Sequence, residues 1–141
     1  MEQVKTPRGI RNNNPLNIRK GCGWQGLADK QTDPSFCVFK SMVYGLRAAH
    51  KLLRNYITGT DGRFKPCDCL DSIIKRWAPP SENATQRYID FVAKEVGISP
   101  FETIHFLDRK LMCDIVSAMA FVECGQRIDR SLIESAYDLL S

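Results

Sequence analysis

The hydrophobic pattern changes period at Met42, and that change divides the chain in two. From there Met42, Val43, Leu46, Ala49, Leu53, Tyr56 and Ile57 recur at steps of three and four, which places them on one face of an amphipathic helix. Ser41 stands at its cap position and Gly59 just past its end. A second stripe, Leu70, Ile73, Ile74 and Trp77, stops at Pro79-Pro80. A third helix starts near Asn83, with Gln86 as its capping-box partner, carries Tyr88, Ile89, Val92 and Val96 inward, and ends at Gly97. Ser99-Pro100-Phe101-Glu102 combines a cap, a first-turn proline and an acidic third position, which predicts one short helix. Asp108 caps a longer helix bearing Leu107, Leu111, Ile115, Ala118, Met119 and Val122, terminated by Gly125. Asp129 caps the last, built on Leu132, Ile133, Ala136 and Leu140.

Before Met42 no such period exists. Met1 to Asn14 is polar and reads as irregular backbone, because asparagine side chains bond nearby main chain and tolerate unusual φ. Gly21, Gly23, Gly26 and Asp33-Pro34 are more turn signals than a helix permits, and Ser35 to Phe39 is rich in aromatic and β-branched residues. This stretch predicts a small irregular hairpin or three-stranded lobe. The expected fold is mainly α (α+β): a helical domain with a small N-terminal β-lobe, filling residues 1–141 as a single domain.

Composition narrows the function classes. Twenty Lys and Arg against 16 Asp and Glu give a net charge of +4, which favours anionic partners but falls short of a dedicated nucleic-acid binder. The longest strongly apolar run, Ala118 to Val122, is far below the roughly 20 residues of a membrane span. Met1 to Arg11 is polar and basic without an apolar stretch, so no secretory leader is expected. The six cysteines, at 22, 37, 67, 69, 113 and 124, then read as reduced thiols. Cys67-Asp68-Cys69 lacks the spacing and the second pair of a zinc site, so neither metal nor organic cofactor is expected.

Three places carry the residue types of chemistry. Glu123 ends the apolar segment Ala118 to Val122, just before Cys124-Gly125. The negative end of a helix dipole and apolar surroundings both disfavour a charged carboxylate, which suits a general acid; a solvated Glu at a fraying helix end is the ordinary alternative. The loop from Arg76 to Ile89 carries Trp77, Pro79, Pro80, Glu82, Asn83, Thr85 and Tyr88. Aromatic faces and amides on a stiff loop suit carbohydrate, although turn and capping chemistry accounts for many of them. Arg8 to Arg19, followed by Trp24-Gln25-Gly26, packs four amides and three arginines into twelve residues, more than a turn needs. His50, placed on the polar side of its helix, and His105 read as structural, as do Tyr44 and Tyr56 in the core.

These tracts resemble a family found in phages and bacterial genomes, labelled phage structural proteins and related to virion-associated lytic transglycosylases. The resemblance is carried by Arg8 to Arg19, Trp24-Gln25-Gly26, Phe36 to Phe39, Gly45-Leu46-Arg47-Ala48 and Ile73 to Ile89, above all by the tracts Arg11-Asn12-Asn13-Asn14-Pro15-Leu16-Asn17-Ile18-Arg19 and Arg76-Trp77-Ala78-Pro79-Pro80-Ser81-Glu82-Asn83. It is strong over about residues 7 to 97 and weak beyond. The chain departs from it at Leu16, where the family has glycine, and at Cys67 and Cys69, where it has Asn-Thr. The order of motifs also resembles a circularly permuted lysozyme-like domain: a substrate loop at Asn12 to Arg19, an aromatic-proline turn at Trp77 to Pro80, a helix bearing Tyr88, and a Glu-bearing helix end, Val122-Glu123-Cys124-Gly125, at the C-terminal end instead of the start. Permutation requires only that the chain ends lie near each other on the surface.

The resemblance implies cleavage of peptidoglycan at the β-1,4 bond between N-acetylmuramic acid (MurNAc) and N-acetylglucosamine (GlcNAc), by a lytic transglycosylase or a muramidase. Glu123 is the general acid/base. Glu82 is the first choice for a second carboxylate and Asp33 the next; a transglycosylase needs only Glu123, because the sugar's own hydroxyl attacks. Asn13, Asn14, Asn17 and Arg19 are expected to bind substrate, with Trp77 and Tyr88 lining the cleft. Peptidoglycan is the expected partner, with an immunity protein or a virion component as a protein partner, and neither nucleic acid nor a membrane span. Synthesis in the cytoplasm and action at the cell wall or periplasm follow, by phage delivery, at lysis or by export as an effector. The alternatives are a non-catalytic virion structural or wall-binding protein that keeps the fold, and a cysteine amidase or peptidase.

Overall fold

The computed structural model describes residues 6–60, 65–78 and 83–140. It is mainly helical. Among the described residues six helices follow in order: α1 (Arg8–Arg11), α2 (Met42–Thr58), α3 (Leu70–Trp77), α4 (Asn83–Val96), α5 (Arg109–Cys124) and α6 (Arg130–Asp138). The caps act largely as the sequence predicts. Asp108 accepts from Leu111 N–H at 3.1 Å, and Asp129 from Ser131 N–H at 2.9 Å. Gly59, Gly97 and Gly125 take left-handed φ of 79°, 82° and 74° past the ends of α2, α4 and α5. Cys69 sits at the α3 cap, its Sγ 3.3 Å from Ser72 Oγ, so a thiol takes the place of the usual capping hydroxyl or amide. The capping box expected at Asn83 falls on a side chain outside the described residues; the Gln86 side-chain amide donates to Asp90 at 2.9 Å.

Helix α5 is the hub. It packs on α4, α6, α1 and α2, and Met112, Cys113, Ile115, Val116, Ala118, Met119, Ala120 and Cys124 are buried on it. A helix covered on nearly every side has to be apolar nearly all round. Helix α2 lies mainly against α6, and α3 against α4. One hydrophobic cluster runs from Leu16 and Phe39 in the N-terminal lobe through α2, α3, α4 and α5 to Ile133 and Ala136 of α6.

Five expectations change. Arg8–Arg11 is a turn of helix, not irregular backbone. The lobe before Met42 has no sheet among the described residues. It keeps two isolated antiparallel bridges, Arg19 with Phe36 and Leu27 with Phe39, and a few further main-chain bonds such as Phe39 N–H to the Asn12 carbonyl at 2.9 Å; many of its other backbone groups bond to side chains. Asn14 Nδ2 donates to the carbonyls of Ile18 and Cys37, both at 2.9 Å, while its Oδ1 accepts from Ile18 N–H; Gln31 is bonded on both sides, to Ala28 and Val38. Buried amides thus satisfy backbone groups that a ladder would otherwise pair. Residues 99–102 form a turn instead of a helix, with Ser99 Oγ accepting from Phe101 N–H at 3.2 Å. Downstream, Ile104 N–H is claimed by the Asp68 carbonyl at 2.7 Å and the Ile104 side chain by the core, so the helix cannot propagate. Leu107, expected on the inner face of α5, precedes that helix and is 89% exposed.

His50 is the fifth. It is fully buried, its Nε2–H donating to the Ile133 carbonyl at 3.0 Å and its ring edge-on to Tyr137. Its Nδ1 has no partner. Burial depresses its pKa to about 4, against the smaller opposing pull of the Ile133 carbonyl and Asp138. The unfolded chain therefore binds a proton near pH 6.5 that the folded chain refuses until about 4. Stability is full above 6.5 and falls progressively between 6.5 and 4, by on the order of 3 kcal/mol. Urea denaturation across that window is expected to show the slope, and His50→Leu to flatten it.

The N-terminal lobe is held by one carboxylate. Asp33, buried, receives the Arg8 guanidinium through both Nε and Nη2 (Nη2 at 2.6 Å), Asn12 Nδ2 at 3.0 Å and the N–H groups of Ser35 and Phe36. The Arg8 pair holds its pKa well below the ordinary carboxylate range. All the acceptor capacity is in use, so Asp33 is an anchor and not a second catalytic carboxylate. Asp33→Ala is expected to lower the thermal midpoint by more than Asp138→Ala, whose partner Arg109 is exposed. Circular-dichroism melts compare the two.

Candidate functional site

The tract Asn12-Asn13-Asn14 and Asn17 each solve a different problem. Asn13 and Asn17 adopt φ of 54° and 53°, left-handed backbone that asparagine tolerates better than other side-chain-bearing residues. Asn12 is buried on Asp33, Asn13 Nδ2 donates to the Phe39 carbonyl at 3.0 Å, and Asn14 is fully enclosed. Asn13 and Asn14, expected to bind substrate, shape the loop instead, and neither lines a hollow of the site. Leu16 is a fully buried core residue that pins the loop's base.

The loop path depends on two glycines. Gly9 lets α1 sit against the end of α5: a Cβ there would meet Asn14 O at 2.9 Å, Cys124 Cβ at 3.2 Å and Asn17 Oδ1 at 3.3 Å. Gly45 lets the loop lie directly on α2, where a Cβ would fall 1.9 Å from Asn13 O. Together they deliver Asn17 to the C-terminal end of α5. There Asn17 Nδ2 donates to the main-chain carbonyl of Glu123 at 3.2 Å and to its Oε1 at 3.3 Å. Residues 106 positions apart in sequence are thus one unit in space.

Glu123 is half-buried at that helix end. Burial raises its pKa above the usual carboxylate value, opposed in turn by the side chains of Asn17, Tyr88 and Trp77 and by the Arg19 charge. Those four residues are therefore its immediate surroundings. Tyr88 is buried beside the carboxylate; burial first, and the Glu123 charge second, push its phenol well above its ordinary range. Its hydroxyl and Asn17 Oδ1 are both buried without a hydrogen-bond partner. Tyr88 lies beneath the site and does not line the cleft.

Two adjoining hollows share Asn17, Arg19 and Trp77. One, of about 230 Å³, adds Phe36, Ala78 and Glu123. The other, of about 220 Å³, adds Ile18, Cys22, Trp24, Leu52 and Tyr56. The Trp77 ring stands edge-on to Tyr56 at 6.0 Å between centroids, and the Arg19 guanidinium lies over Phe36 at 5.0 Å. The result is an open groove with an acidic group at one end and aromatic walls at the other. A carboxyl group with a raised pKa beside a half-exposed groove is suited to hold and deliver a proton, and rings with amides around it suit a sugar chain.

The structure thus brings Asn17, Arg19, Trp77, Tyr88 and Glu123 together and leaves Asn13, Asn14 and Asp33 in framework roles. Glu82, with the Pro79-Pro80 turn, lies outside the described residues. Tyr56, read as core from its helical spacing, lines the groove together with Leu52, which the sequence reading did not single out. The signal of Tyr56 was hidden because one helix stripe serves both the core and the groove floor. Trp24 stood in a tract singled out by its amides, and its Nε1 is buried without a partner. All six cysteines are unpaired thiols; Cys22 is exposed at the groove. Among the described residues, no group of three or more His, Cys, Asp or Glu is placed to hold a metal ion.

Fold and site define a mainly helical domain whose groove, between an asparagine-shaped loop and a helix end, carries one half-buried carboxylate. The chain belongs to the family of Protein P5 of Pseudoalteromonas phage PM2, with which it is 38% identical over 122 residues, a match spanning 84% of this chain and 71% of that protein. No protein-family model matches the sequence. None of the helices among the described residues is long and apolar enough to cross a membrane.

Proposed function

We propose that this protein cleaves the glycan strand of peptidoglycan at the MurNAc–GlcNAc β-1,4 bond, as a lytic transglycosylase or muramidase on a permuted lysozyme-like fold. The observation that carries the reading is Glu123: a carboxyl group with a raised pKa, held by Asn17, at the acidic end of an aromatic-walled groove. Glu123 protonates the glycosidic oxygen as the bond breaks, generating oxocarbenium character at the anomeric carbon. In the transglycosylase route the resulting carboxylate then takes the proton from the sugar's own hydroxyl as it closes on that carbon. In the muramidase route water attacks, with the help of a second carboxylate, for which Glu82 is the candidate now that Asp33 is committed to Arg8. Asn17 orients the acid, Arg19 and Trp77 hold the sugars, and Tyr88 supports the carboxylate from below. Action at the cell wall of a bacterium, reached through a phage, fits the family relationship to a phage protein.

The test is digestion of purified sacculi by wild type and Glu123→Gln, with released fragments identified by mass spectrometry. Anhydro-muropeptides from wild type alone fix a transglycosylase with Glu123 as its acid. Reducing muropeptides from wild type alone fix a muramidase and direct the search to Glu82. Fragments from both proteins remove Glu123 from the chemistry. Fragments from neither leave the second reading, a virion structural or wall-binding protein, which the family relationship to a phage protein favours.

A further inference from the structure

The N-terminal lobe carries a charge that its own framework does not use. Residues 6–41 hold Arg8, Arg11, Arg19, Lys20, Lys30 and Lys40 against only Asp29 and Asp33, so the lobe alone carries a net charge as large as that of the whole chain. Residues 42–141 hold 13 Lys and Arg against 13 Asp and Glu, so the rest of the chain balances in charge, and several of its cations are paired directly. On α5, α6 and the turn between them, Arg109, Lys110, Arg127 and Arg130 each hold a carboxylate partner, as Lys75 does on α3. On the lobe only Arg8 does, with Asp33. Arg11, Arg19, Lys20, Lys30 and Lys40 are exposed and form no ion pair among the described residues. Unpaired like charges on a small lobe repel one another and cost stability unless an anion meets them.

The geometry ties this charge to the groove. Arg19 lines both hollows, its guanidinium held over Phe36 so that it stays beside the Glu123 end. Lys20 follows it and is fixed through its N–H to the Ser35 carbonyl at 3.0 Å. An N-acetylated sugar backbone is uncharged and needs rings and amides, which the groove supplies. The anionic groups of a peptidoglycan strand are the free carboxylates of the peptides that hang from it, outside any groove that holds the sugars. We propose that this lobe, through Arg19 and Lys20 at the groove and the further exposed cations Arg11, Lys30 and Lys40, docks the carboxylates of the stem peptides on the strand whose sugars occupy the groove. The inference rests on the glycan reading above and deepens it: the substrate is the peptide-bearing strand, not the bare polysaccharide. Exposed ion pairs are individually weak, but several acting together set register and are strongly salt-dependent.

The test separates this inference from that reading. Glu123→Gln protein is sedimented with native sacculi and with sacculi whose carboxylates have been capped as methylamides by carbodiimide and methylamine. Binding to native sacculi is expected to be about tenfold tighter, with the difference closing as salt is raised. In the triple variant Lys20→Glu, Lys30→Glu, Lys40→Glu the difference is expected to collapse to near unity. The Lys→Gln triple variant, with circular-dichroism melts of both, reports whether the lobe is still folded and is expected to fall between the two. Equal binding of Glu123→Gln to native and capped sacculi overturns the docking inference while leaving the glycan reading standing. Binding to neither overturns both. Tighter retention on double-stranded DNA than on native sacculi overturns it in favour of a phosphate polymer.

Discussion

Glu123→Gln is expected to leave the protein folded and to reduce glycan cleavage by about 10²–10⁴-fold, the range of a lost general acid. The amide keeps the shape of the side chain, and removing a charge disfavoured by burial relieves desolvation instead of adding to it. The Asn17 bond to the main-chain carbonyl of residue 123 survives the change. Retention of more than a few per cent of wild-type turnover in the fragment assay removes Glu123 from the mechanism. A pH profile tests the same group independently. A general acid works protonated, so activity falls as pH rises through its pKa, which burial has moved above the ordinary carboxylate value. Asn17 favours the charged form; Asn17→Ala therefore moves that falling limb to still higher pH. A structural role for Asn17 alone lowers the rate without moving the limb.

Gly45→Ala is expected to destabilise the fold by about 3 kcal/mol or more, a large effect for one methyl group. The Cβ would stand 1.9 Å from Asn13 O, 2.9 Å from Asn13 C and 3.3 Å from Asn14 Cα. All three are backbone atoms of a loop whose side chains are already bonded to Phe39, Ile18 and Cys37, so no flexible chain end can swing away. Gly97→Ala is the control. Nothing lies within 4 Å of its Cβ, and only the left-handed φ of 82° opposes it, which costs about 1–2 kcal/mol. Urea denaturation of both variants reads the difference. Gly45→Ala also displaces the loop that carries Asn17, so its residual activity is expected to be lower than that of Gly97→Ala when both are assayed well below their melting temperatures.

Helices α2 to α6 were legible because their signals are local. Apolar steps of three and four, a capping Asp at 108 and 129, and a glycine at 59, 97 and 125 lie within a few residues of the structure they specify. The Ser99-Pro100 start had an equally good local signal and failed, because the backbone of Ile104 pairs with Asp68 from another segment. The N-terminal lobe had the residue types of short strands but resolves its hydrogen bonds through Asn14, Gln31 and Asp33. Those are contacts across loops, and no period announces them.

By itself, the sequence determined where five helices run, that Glu123 closes an apolar helix, and that an unusual run of amides and arginines precedes Met42. All of these depend on neighbours in the chain. Tertiary structure decided which polar residues are framework and which face the groove. It joined Asn17 to Glu123 across 106 positions, turned Asp33 into the anchor of Arg8, buried His50 under Ile133 and drew Tyr56 out of the core to the groove wall. A carboxylate, an amide or an imidazole has no fixed chemistry of its own. Its charge and its role are set by the burial and the partners that only the folded chain supplies.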